Sequence, residues 1–200
     1  DGPGEQTIGS PGTARKAITV GATYKKDYDG NYWGDENPRA NQITPFSSRG
    51  PVELENEIIV KPDIVAPGAI ICSAQYDSAW NDKKCFDNNH VAISGTSMAT
   101  PHVAGVVALI KQAHPDWNSQ QIKDKIKNTA KDIGLDENIQ GAGLINPIEA
   151  VQIERKALIE PYYKNIIISP ITKEITKIES FKIKNMFSEN LEFDIYTETN

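Results

Sequence analysis

The chain has 200 residues, 38% hydrophobic and 24% charged, a composition that suits a globular protein with one sizeable core. Its formal net charge is −6, and no basic patch carries interleaved aromatics, which argues against a nucleic-acid partner. The longest apolar run, Val103–Ile110, is too short to span a bilayer, and no signal-peptide pattern is visible.

Residues 1–13 have the Gly, Pro, Ser and Thr content of a loop. Ala17–Ala22 (AITVGA) is a short apolar run that suits a buried strand. A polar, aromatic stretch follows, in which Asp29-Gly30 predicts a tight hairpin turn. Asp27, Asp29 and Asn31 match the first ligand positions of an EF-hand calcium loop. Its turn glycine would fall on Tyr32, and no Glu stands at the last ligand position, so the hairpin is the better reading. Ile43–Pro51 (ITPFSSRGP) reads as a strand ending in a turn, and Lys61–Gly68 (KPDIVAPG) as a short strand between prolines. Ala69–Ser73 continues as a second short strand, a loop with Cys85 follows, and Val91–Ile93 forms another strand. Ser97 opens a long apolar helix that reaches about His114.

A second helix follows, capped by Asn118 or Ser119, with Ile122 and Ile126 four apart on one face. Lys123, Lys125 and Lys127 read as a solvated surface. Gly141–Val151 is a glycine-rich bend into a third helix, with Pro147 in its first turn. Beyond about Tyr162 the pattern changes to strands alone, at Ile166–Ser169, Ile175–Lys184 and Leu191–Thr197. This places a domain boundary near residue 160, with 1–158 as one domain and 159–200 as the incomplete beginning of an all-β, sandwich-like one. The chain starts at Asp1 without Met and stops at Asn200 inside a strand-like pattern, so we expect an internal piece of a longer protein.

Cys72 and Cys85 are disulfide candidates. In an oxidising compartment so close a pair forms a bridge that contributes about 3 kcal/mol in the chain-entropy model; the alternative is two unpaired thiols. No Cys-x-x-Cys is present and no His stands at zinc-site spacing from either cysteine, so no metal site is expected there.

The stretch Ser94–His102 (SGTSMATPH) carries the candidate chemistry. Ser97 follows Gly95-Thr96 at a loop-to-helix junction, where unpaired N–H groups and the helix dipole would stabilise a substrate oxyanion. Gly95 lets a substrate backbone come close. Gly95, Ala99, Ala104 and Gly105 are small enough for the helix to pack tightly inside the protein. The other reading is that Ser97 is simply an N-cap. His102 lies five residues further on, rotated about 140° around the helix, too far to serve Ser97; it suits a polar niche under the helix start. Neither His90 nor His114 is a convincing base, and a serine without one is a weak nucleophile at neutral pH.

GTSMATPHVAG (Gly95–Gly105) resembles the nucleophile motif of the subtilisin-like serine peptidases, the subtilases. AITVGA (17–22), FSSRGP (46–51), KPDIVAPG (61–68) and GAGLIN (141–146) resemble further family signatures in order, so the likeness covers roughly residues 1–155. It implies an α/β fold: a subtilisin-like three-layer arrangement with a mostly parallel sheet, here partial, followed by the start of an immunoglobulin- or fibronectin-like β-domain. It implies Ser97 as nucleophile, the Ser97 N–H as oxyanion donor with Thr96 in support, and Asp1, Gly2, Gly9, Ser94 and Gly95 around the substrate. Gly9 would lie at the floor of an S1 pocket open to a large P1 side chain, with Asp1 at its rim. Met98 would be the oxidation-sensitive neighbour.

The family's oxyanion Asn would stand one position before Asp1, and its Asp-Thr-Gly or Asp-Ser-Gly and His-Gly-Thr motifs earlier still; none is in this sequence. The resemblance therefore implies the C-terminal half of a secreted or cell-surface serine endopeptidase domain. Its partners would be a polypeptide substrate and the upstream half of the same domain, and the chain alone is expected to be inactive and poorly folded. No cofactor is required for the chemistry; family members often bind calcium, for which no ligands can be placed here. Two other readings are a non-catalytic subtilase-like interaction module and an α/β-hydrolase esterase. The esterase fits poorly, because its G-x-S-x-G elbow would need a glycine where Ala99 stands.

Overall fold

The computed structural model describes residues 2–25, 40–54, 57–77, 80, 83–152, 157–160 and 182–185. Asp1, the Asp29-Gly30 turn and most of the strands expected after residue 160 lie outside the described residues. The first elements are β1 (Val20–Tyr24), β2 (Val52–Leu54), β3 (Glu57–Ile59), β4 (Ile64–Ala69), β5 (Ile71–Ala74) and β6 (His90–Ile93). The helices α1 (Thr96–Ala113), α2 (Ser119–Asn128), α3 (Glu137–Gln140) and α4 (Pro147–Gln152) follow, then β7 (Ala157–Glu160) and β8 (Lys182–Asn185).

β1 and β4 pair in parallel, with Val20 opposite Ile64 and Ala22 opposite Ala66. Consecutive buried residues, Ala22-Thr23 and Ile64–Ala66, mark a ladder covered on both faces. Extended segments lengthen it on each side. Tyr24 N–H donates to Gln42 O and Thr44 N–H to Ala22 O on one edge; on the other, Val65 N–H donates to Gly143 O and Ile145 N–H to Val65 O. Gly141, at φ 62, presses so closely on Pro62 and Asp63 that an added Cβ would lie 2.5 Å from their backbone. The expected parallel sheet is present as this ladder. The β2–β3, β5–β6 and β7–β8 ladders are antiparallel. β7 crosses the boundary expected between residues 158 and 159.

α1 lies across β1 and β4 on a stripe of Ala99, Val103, Val106 and Ile110, spaced four, three and four as a helical face requires. Ile122 and Ile126 of α2, Ile145 just before α4 and Ala150 within it complete one apolar core with that stripe. α2 starts at a reciprocal cap, in which Asn118 Oδ1 accepts from Gln121 N–H and Gln121 Oε1 accepts from Asn118 N–H.

Three expectations need correction. Ile43–Pro51 is not a strand: Ile43 makes one isolated bridge to Thr23, and the next strand begins at Val52. The segment is held instead by side chains, since Thr44 Oγ1 donates to Ala22 O and Ser47 Oγ accepts from Ala22 N–H. Ala104 and Gly105 are exposed rather than packed inside, and the close approach to α1 is made by Gly68 of β4. Lys123 and Lys125 are buried, and Lys127 nearly so, because α2 turns the first and last of them onto Asp63.

Candidate active site

Gly95 is the N-cap of α1 and offers no side-chain bond, so Thr96 and Ser97 are its first two residues and Ser97 is not the cap. Ser97 is exposed. Among the described residues its hydroxyl has no hydrogen-bond partner, and neither do the Thr96 and Ser97 N–H groups, whereas Met98 N–H donates to Gly95 O (2.9 Å). These are the unsatisfied donors that every helix start leaves, and no acidic residue in the first turn competes for them. Pro101 lacks an N–H, so the Ser97 carbonyl receives no bond from the next turn.

The loop before α1 is braced from beneath. Gly95 N–H donates to Gly68 O (2.8 Å), and Ser94 Oγ accepts from Ile70 N–H (2.8 Å). Ser94 thus holds the turn between β4 and β5, where Ile70 has φ 55, a conformation that a β-branched residue adopts only under constraint. An added Cβ on Gly68 would lie 2.8 Å from both Gly95 O and Ala22 Cβ, so this glycine sets how closely the start of α1 approaches the sheet. An added Cβ on Gly95 would lie 3.6 Å from Ser97 N and 3.9 Å from Ser97 Cβ, in the space beside the serine.

Gly9 and Thr96, far apart in sequence, line one cleft of about 310 Å³ together with Gly12, Thr19, Pro62 and Thr100. Gly2 is set apart from these; a Cβ on it would lie 2.0 Å from Ser47 O, so its lack of a side chain is demanded by packing.

No histidine serves Ser97 among the described residues. His102 Nδ1 lies 2.8 Å from Met98 O, so that nitrogen carries the proton and donates it. The ring is exposed, not in a niche beneath the helix, because the buried stripe of α1 leaves position 102 facing out. His90 Nδ1 bonds Asp87 Oδ1 (2.7 Å), and His114 stacks on Trp117. The His90 contact, with Asn89 N–H, holds the Asp87 carboxyl below its ordinary value.

Sequence reasoning missed a buried ionic cluster behind the cleft. Asp63 Oδ2 accepts from Lys61 Nζ (2.6 Å) and Oδ1 from Lys123 Nζ (2.8 Å), with Lys127 Nζ at 3.7 Å. Asp63 is 3% exposed, Lys61 1% and Lys123 7%. Burial pushes the Asp63 carboxyl up, but the Lys123 and Lys61 ammoniums outweigh it and hold it below its ordinary value. Burial also pushes Lys61 and Lys127 down, which Asp63, joined at Lys127 by Asp124, only partly offsets. One signal was available: Lys123 and Lys127 have the same spacing of four as the buried pair Ile122 and Ile126, one residue along.

Cys72 and Cys85 form a disulfide, with Cα atoms 6.0 Å apart, tying β5 to the loop before β6. Among the described residues no cluster of three or more His, Cys, Asp or Glu could hold a metal ion, and no helix is long and apolar enough to cross a membrane.

Residues 1–143 match the model of the subtilase family, peptidase family S8. The chain belongs to the subtilase family. This subtilase is 40% identical over 159 residues to the serine protease AprX of Bacillus subtilis (strain 168), an alignment covering 75% of the chain and 33% of AprX. It is 37% identical over 161 residues to the minor extracellular protease Vpr of the same organism, covering 74% of the chain and 18% of Vpr. With the subtilisin-like protease SBT4.4 of Arabidopsis thaliana it shares 39% over 125 residues, covering 58% and 17%. The subtilase thus spans a third or less of the length of these relatives. Its fold is similar to that of fervidolysin from Fervidobacterium pennivorans, a keratinolytic enzyme related to subtilisin, with a TM-score of 0.52 and 25% identity, covering 74% of this chain and 21% of that one. The α/β fold is that of a subtilisin.

Proposed function

We propose that this subtilase chain carries the nucleophile of a serine endopeptidase and that its base comes from sequence upstream of Asp1. The observation that carries this reading is the start of α1. Ser97 stands there exposed and unpartnered, its own N–H free, beside a cleft that Gly9 and Thr96 line together. Ser97 Oγ attacks a peptide carbonyl while an upstream His takes its proton and an upstream Asp orients that His. The carbonyl oxygen, now negative, is held by the Ser97 N–H and by an upstream Asn, with the dipole of α1 adding to both. Collapse, with the His proton passing to the leaving nitrogen, releases the amine and leaves an acyl group on Ser97, which water, deprotonated by the same His, then removes. This acyl transfer needs no metal or cofactor.

The substrate is a polypeptide whose P1 side chain enters the cleft at Gly9, with the Gly95 backbone beside it. The Cys72–Cys85 disulfide, and the extracellular relative, support secretion. We place 1–158 in the peptidase domain and 159–200 in a following β-domain.

Labelling with a fluorophosphonate probe tests the reading, on this chain alone and on one extended upstream, each with Ser97→Ala as control. The expected result is labelling of the extended wild-type chain only. Labelling of the chain alone would mean that it holds its own base. No labelling of either would favour a subtilase-like interaction module, a reading supported by all three histidines making their contacts elsewhere, His90 with Asp87, His102 with Met98 O and His114 with Trp117.

A further inference from the structure

We propose that Thr19 is a specificity-positioning residue, through which the buried Asp63 carboxylate sets the place of the cleft floor and so the size of side chain the cleft admits; this rests on the peptidase reading above. Asp63 is a fixed point. Lys61, just before β4, and Lys123, on α2, hold its two oxygens from different directions.

The same cluster grips the segment that runs behind the cleft. Lys61 Nζ donates to Ala17 O (3.0 Å), and Lys123 Nζ donates to Arg15 O (3.1 Å) and Ala17 O (2.9 Å). Thr19 N–H donates to Asp63 Oδ2 (2.8 Å), and Asp63 N–H returns a bond to Thr19 O (2.8 Å). Thr19 is therefore held on both sides of its backbone by one residue.

Its side chain passes that position on. Thr19 Oγ1 donates to Gly12 O (2.5 Å). Gly12 is packed so tightly that an added Cβ would lie 3.0 Å from Gly9 O and 3.3 Å from Thr19 Cγ2. Gly9, Gly12 and Thr19 line the cleft from the chain leading into β1, and Thr96 and Thr100 line it from α1. A shift of Gly12 therefore moves Gly9, and with it the depth available to a side chain whose carbonyl is presented to Ser97. The hydroxyl of Thr19 can be removed without unpairing any lysine, which separates this role from the stability of the cluster.

The test compares Thr19→Val, which keeps the shape and loses the hydroxyl, with Thr19→Ser, which keeps the hydroxyl, in the complete gene product. We expect Thr19→Val to raise KM about tenfold for peptides with a large P1 side chain and to lower the large-to-small preference by a similar factor. Thr19→Ser should return that ratio to the wild-type value, and amide exchange should rise over residues 8–13 in the Val variant alone. An equal loss of kcat/KM for all peptides would overturn the specificity role. Unchanged exchange at those residues would overturn the tie between Thr19 and the cleft floor, whether or not the protein is active. A wild-type protein that hydrolyses no peptide and takes no fluorophosphonate refutes the peptidase reading itself, and the specificity claim with it.

Discussion

Asp63→Asn removes the carboxylate that Lys61 and Lys123 both contact, while the rest of the cluster stays in place. The cost depends on how much solvent could replace the lost charge. Lys61 and Asp63 are 1% and 3% exposed, so almost none can enter. Removing one partner of such a pair strands the other, at a cost of about 3–5 kcal/mol. The exposed pair Arg15–Glu57, at 51% and 64%, provides the contrast, and Glu57→Gln should cost less than about 1 kcal/mol. The pH dependence adds a sign. Asp63 is held below 3.8, so its stabilising charge is present above that value and is lost as pH falls through the lowered folded value. Lys61 is held below 10.5, so between its lowered value and 10.5 the folded chain binds fewer protons than the unfolded one, and stability rises with pH. Without Asp63 nothing in that pair opposes the effect of burial, and the Lys61 value drops further. Lys127 behaves alike, with Asp124 as a remaining opposite charge. The deficit of Asp63→Asn should therefore be largest near about pH 7 and shrink as pH rises toward 10.5, and the variant's own stability should lack the acid limb of the wild type. Urea unfolding of the complete gene product across this range measures it. A deficit below about 1 kcal/mol at neutral pH, or one that grows as pH rises above neutral, would refute the reasoning.

Two further outcomes are expected. Gly68→Ala places a methyl group 2.8 Å from Gly95 O and Ala22 Cβ, and should destabilise by about 1–3 kcal/mol while slowing fluorophosphonate labelling of Ser97; an unchanged melting temperature would contradict the close approach. Replacing Cys72 and Cys85 together by Ala opens a link of sequence separation 13 and should cost about 3 kcal/mol, with the double variant indifferent to reductant; equal melting of variant and wild type would show that the link contributes nothing.

Local rules read from the sequence reached far along this chain. The helix expected from Ser97 to about His114 runs from Thr96 to Ala113, because an apolar stripe spaced by fours and threes is visible without any neighbour. Asn118 caps α2 through a bond to a residue only three positions on, and Pro147 opens α4 because its fixed φ suits a first helical turn. The family was equally legible, since the eleven contiguous residues Gly95–Gly105 resemble one of its signatures. What escaped depends on partners distant in the chain. Whether Lys123 is solvated or buried is settled by Asp63, sixty residues earlier, and a charge is buried only where an opposite one meets it. Ile43–Pro51 has strand-like composition, yet Thr44 and Ser47 spend their hydroxyls on Ala22 and turn the segment aside. Gly9 and Thr96 line a common cleft only because β1, β4 and α1 stack. Periodicity and capping are short-range and lie open in the sequence; burial of charge and the meeting of cleft walls are long-range, and the tertiary structure alone decides them.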